Sequence, residues 1–169
     1  VLFTEFGSDA FNAITNQEDQ SAQAFYLKSN WKEIYENAAG LGKSGNWIGG
    51  FTFQFSDGWW KYAQTKNLDV HDSNASWSNG GYQKDFIEGQ NNMNEEWFGI
   101  CAKGPTNEKG FYQLYPRAAY YVLKELHQFN PYNSDASLNV LKNQFEKNQI
   151  ADATLRARAD KAALNSNDN

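Results

Sequence analysis

The 169-residue chain predicts an α/β fold, and one that is incomplete. Three observations carry this. An apolar strand, a long amphipathic helix and a second apolar strand come one after another, the order that gives parallel pairing in α/β proteins. Only those two strands are evident, too few for a parallel sheet covered on both faces. After them come a long irregular stretch and then helices, with no further strand–helix unit to finish the sheet. The chain therefore reads as the end of a larger domain.

Residues 1–6 are apolar and aromatic around Thr4 and Glu5, and Gly7-Ser8-Asp9 breaks the run. Residues 17–39 predict a helix, because Ala24, Leu27, Trp31, Ile34 and Ala38 recur at steps of three and four and share a face. Glu18 and Asp19 suit the positive end of its dipole, and Gly40, Gly42 and Gly45 end it. Residues 47–57 predict a strand in which Phe51, Phe53 and Phe55 alternate with Thr52, Gln54 and Ser56. One face is apolar and the other polar, as on a surface strand or on a barrel strand lining a polar site.

Residues 58–115 are rich in Gly, Asn, Asp and Trp with little periodicity, and read as a loop too long to be a mere connection, hence functional or partly structured. Residues 117–129 predict a helix with Pro116 at its start, a buried stripe of Ala119, Val122, Leu126 and Phe129, and a stop at Asn130-Pro131. Residues 135–163 predict one or two more helices, with Leu138, Leu141 and Phe145 at helical spacing. The chain opens on a strand with no signal peptide before it, which is what a piece of a longer precursor would show.

A formal charge of −5 argues against a nucleic-acid partner, which would call for a basic patch. No run of about 18 apolar residues predicts a transmembrane helix. The single cysteine, Cys101, rules out an internal disulfide and a Cys-cluster zinc site. Aromatics make up 16% of a chain whose mean hydropathy is −0.77. Flat rings among amides suit a sugar-binding surface, and they suit an aromatic-rich core as well.

Among polar residues Glu5 stands out. It sits at the end of an apolar strand, directly before Phe6-Gly7, and in (β/α)8 barrels functional groups lie at the C-terminal ends of strands. The other reading is a carboxylate that caps a loop or pairs with an arginine. Thr4-Glu5-Phe6-Gly7, then a helix, then Gly49-Gly50-Phe51-Thr52-Phe53-Gln54-Phe55-Ser56-Asp57-Gly58-Trp59-Trp60-Lys61, resembles the end of a retaining glycoside hydrolase (β/α)8 barrel of the family 2 type, in clan A. Asn94-Glu95-Glu96-Trp97-Phe98-Gly99-Ile100 and residues 116–123 are similar to the segments that come after it, so the resemblance covers residues 1–130. It implies a C-terminal portion of the barrel, the last two strand–helix units, in residues 1–130, with residues 131–169 a helical extension or linker.

The resemblance further implies that Glu5 is the nucleophile and that Trp59 and Trp60 lie at the mouth of the eighth strand, where an indole stacks on a pyranose ring. Gln54 and Asp57, on the same element, are the accompanying substrate-binding candidates. The family's acid/base belongs to an Asn-Glu pair on the fourth strand, which this chain lacks. Asn94-Glu95 falls after the eighth strand, so the role does not transfer to it; Glu95 and Glu96 read as solvated or structural, the other reading being that they shape the site or pair with cations such as Lys61 or Arg117. With one carboxylate of the required two, the chain alone should not hydrolyse a glycan. Its expected partners are an oligo- or polysaccharide and the remainder of the barrel. A polymer-degrading glycosidase would work in an extracellular, periplasmic or cell-surface setting.

No cofactor or metal is expected. His71 and His127 have no ligand spacing, and Asp69, Asp72 and Asn74 lack the regular spacing of a calcium loop. Asn74-Ala75-Ser76 fits the glycosylation sequon. Cys101 has no activating histidine near it in sequence and reads as a small buried residue. The competing function is a non-catalytic glycan-binding or structural subunit derived from such a barrel, binding through Trp59, Trp60 and Trp77, whose strand edges would need a partner strand.

Overall fold

The computed structural model describes residues 1–12, 15, 17–58 and 95–166. It is a mixed α/β arrangement of three two-stranded sheets and four α-helices among the described residues. The order is β1 (Leu2–Phe6), β2 (Phe11–Asn12), β3 (Gln17–Glu18), α1 (Gln20–Glu36), β4 (Gly49–Thr52), a 3-10 turn at Glu95–Trp97, β5 (Cys101–Thr106), β6 (Tyr112–Pro116), α2 (Ala118–Leu126), α3 (Leu138–Lys147) and α4 (Ile150–Ser166). No closed barrel is present among the described residues.

β1 and β4 pair in parallel, Leu2 opposite Gly49 and Phe6 opposite Thr52, and α1 makes the crossover between them. A parallel pair needs such a crossover, because a tight turn can join only antiparallel strands. Gly50 is required by close approach: a Cβ there would lie 2.8 Å from the Phe6 ring.

α1 starts later than its apolar spacing predicts. Gln17–Glu18 instead pairs with Phe11–Asn12 as a small antiparallel ladder, and Asp19 becomes the N-cap, its carboxylate accepting from the Ala22 amide at 3.0 Å. Gln23, Ala24, Leu27 and Ile34 form its buried face. The chain then turns back, and Ala38 bridges to Trp47 beside β4.

The strand expected over 47–57 is split. Its ladder with β1 covers Gly49–Thr52, and beyond that the backbone changes partner. The Gln54 amide donates to the Phe98 carbonyl at 3.2 Å, the Ile100 amide to Gln54 at 2.9 Å, and Ser56 bridges to Cys101. The Phe53–Gln54 peptide is cis. The alternating phenylalanines do not form a buried face: Phe51 is 62% and Phe55 60% exposed, while Phe53 meets Phe98 edge-on.

Residues 95–115, the end of the stretch expected as a functional or partly structured loop, contain the 3-10 turn and the hairpin β5–β6. Gly104 and Pro105 interrupt any alternating signal in β5. Gly104 lies directly under the Tyr115 ring, where a Cβ would come within 2.3 Å. Pro116 proves to be the last residue of β6 rather than the first of a helix, and α2 begins at Ala118.

The expected stripe of Ala119, Val122, Leu126 and Phe129 is buried. α3 is capped by Ser137, whose hydroxyl accepts from the Val140 amide, and buries Leu141 and Phe145. Residues from α1, α2, α3 and α4 share one apolar core, so residues 131–166 pack onto the same body as the strands' crossover helix. Among the described residues no helix is long and apolar enough to cross a membrane.

Candidate functional site

The site is built at the C-terminal end of the parallel pair. Glu5 is the penultimate residue of β1, and its side chain is exposed. Phe6 turns the other way and packs edge-on against Trp31 of α1, centroids 5.6 Å apart. The Trp31 indole N–H donates to the Thr52 hydroxyl at 2.8 Å, and the Phe6 carbonyl accepts from the Phe53 amide at 2.7 Å. One helix residue thus pins the ends of both strands. Beyond Phe6 the backbone at Gly7 presses so close to the Phe53 carbonyl that a Cβ would lie 2.0 Å from it.

Gln23 organises the loops above the strands. It is fully buried, and its Nε2 reaches the carbonyls of Ser8 and Gly99, each at 3.1 Å, with Trp97 and Phe98 at 3.4 Å. The turn after β1 and the turn before β5 are therefore tied through one amide.

A buried ion-pair network lies beside it. Arg117 Nη1 and Nη2 meet Asp57 Oδ1 and Oδ2 at 2.6 and 2.8 Å, Nε meets Glu18 at 2.6 Å, and Nη1 also donates to the Gly99 carbonyl at 2.7 Å. Asp57 Oδ1 accepts from the Gly99 amide at 3.0 Å. Burial alone would lower the guanidinium's pKa, but the Asp57 and Glu18 carboxylates outweigh it and hold Arg117 above its ordinary value. The Trp97 ring lies between this guanidinium, 5.5 Å from its centroid, and Phe11.

These contacts redistribute the expected roles. Asp57, a substrate-binding candidate, is 0% exposed and engages Arg117 through both carboxylate oxygens. Gln54 stays near the strand end, half-buried, with its main chain held by Phe98 and Ile100 and no hydrogen-bond acceptor for its buried Nε2 among the described residues. Trp59 and Trp60 lie outside the described residues, as do Lys61, Asp69, His71, Asp72, Asn74-Ala75-Ser76, Trp77 and Asn94. The carboxylates on Arg117 are Asp57 and Glu18, not Glu95 or Glu96, and Glu96 is itself buried.

Cys101 is buried, and that burial pushes its thiol up to about 11, away from nucleophilic use. His127, at the end of α2, stands edge-on to Trp31 at 4.4 Å with Nδ1 3.3 Å from the Tyr35 hydroxyl. Its pKa is lowered by burial. No group of three metal-ligating side chains occurs among the described residues.

Sequence reasoning missed Gln23 and Glu18. Gln23 had a signal, since a polar residue four before Leu27 falls on the apolar face of α1. Glu18 had none, because its partner lies 99 residues away. No family model, no curated protein and no solved structure matches the chain.

Proposed function

We propose that this chain is the C-terminal part of a (β/α)8 retaining glycoside hydrolase or transglycosidase acting on a β-linked glycan, with a β-glucan as the substrate class and Glu5 as the nucleophile. The observation that carries the reading is an exposed carboxylate at the C-terminal end of a strand paired in parallel with its neighbour across a helical crossover. The sheet supports it further. β1 and β4 each have one strand partner among the described residues. A groove of about 290 Å³ bordered by Phe3, Phe6, Glu33 and Trp47 runs beside β1, one of about 420 Å³ lies between α1, β4 and the turn at Pro131-Tyr132, and one of about 500 Å³ lies between β4 and α2. These are the places where further strand–helix units of a barrel would seat.

In this reading Glu5 attacks the anomeric carbon and forms a glycosyl-enzyme while an acid on the remainder of the barrel protonates the leaving oxygen. The same group then takes a proton from water or an acceptor hydroxyl, which displaces Glu5. The two carboxyl groups of such a site stand about 5–5.5 Å apart. Gln54 and the pair Trp59–Trp60 would contact the sugar, and a polymer substrate places the enzyme outside the cytoplasm.

A second reading, a glycan-binding or structural subunit, draws on the exposed Phe51 on β4, whose second edge has no strand partner among the described residues. The deciding experiment treats the assembled barrel with a 2-deoxy-2-fluoro-β-glycoside and maps the modified peptide. A glycosyl adduct on Glu5, lost in Glu5→Gln, is expected. An adduct on another carboxylate, or undiminished turnover by Glu5→Gln, overturns the assignment, and glycan affinity without any turnover favours the second reading.

A further inference from the structure

We draw no further inference here: the strongest candidate, the aromatic groove between the edge of β4 and α2 lined by Trp31, Phe51, Tyr120, Lys124 and His127, belongs to the sheet edge already described, and nothing in the structure shows what covers it.

Discussion

Arg117 and Asp57, 60 residues apart in the chain, meet as a two-pronged ion pair in which neither side chain is more than 1% exposed. The planar guanidinium matches the carboxylate fork, a geometry lysine does not reproduce. Through this pair the extension of β4, the turn at Gly99 and the start of α2 are held together, with Glu18 joining β3.

Removing Asp57 leaves the buried Arg117 guanidinium without the larger part of its compensating charge, Glu18 being the carboxylate that stays on it. Asp57→Ala is expected to cost about 3–5 kcal/mol, and Arg117→Lys should not restore stability to the wild-type level. Urea unfolding monitored by tryptophan fluorescence checks both. A loss below about 1 kcal/mol for Asp57→Ala would show that the pair does not hold this end of the sheet.

Gln23→Leu keeps the side chain's bulk but deprives four loop carbonyls of a shared donor. The expected destabilisation is about 1–3 kcal/mol, the scale for a buried polar group left unpaired. Hydrogen exchange should rise locally at the Ala10 amide, which donates to the Trp97 carbonyl between those two turns. Unchanged protection there would mean the turns are held by other contacts.

His127 makes stability depend on pH in a definite direction. Burial lowers its pKa, so the folded chain favours the neutral ring. The stabilisation is fully present above the ordinary histidine value of about 6.5 and is lost as pH falls through the lower folded value. The effect is small, because the ring is partly exposed. His127→Gln should flatten the stability profile between about pH 7 and 5 relative to wild type. A His127 resonance titrating above the ordinary value would reverse the sign.

Cys101, with its thiol at about 11, should stay unreactive toward a disulfide reagent at pH 8 in the folded protein and react promptly once unfolded. Rapid labelling of the native chain would place the thiol at the surface.

Glu5→Gln should leave folding intact, since changing an exposed side chain shifts stability by no more than about 0.5 kcal/mol. The proposed role as nucleophile predicts that, in a barrel completed by its remaining strand–helix units, the same change cuts turnover on the order of 10⁴–10⁶-fold. Thermal melts and initial rates on one preparation separate the two effects.

The sequence by itself determined what local spacing encodes. Ala24, Leu27 and Ile34 on α1, Ala119, Val122 and Leu126 on α2, and Leu141 and Phe145 on α3 are buried because steps of three and four return a side chain to one face. The strand–helix–strand order likewise implied the parallel pairing of β1 and β4, and the strand end placed Glu5. Only the tertiary structure decided that Asp57 pairs with Arg117, that Glu18 completes that network, that Gln23 ties two turns, and that β5 and β6 form a hairpin despite Gly104 and Pro105. Periodicity is a property of neighbours along the chain. A hydrogen bond between residues 60 or 99 positions apart depends on the path of the backbone, and burial then makes leaving it unformed costly.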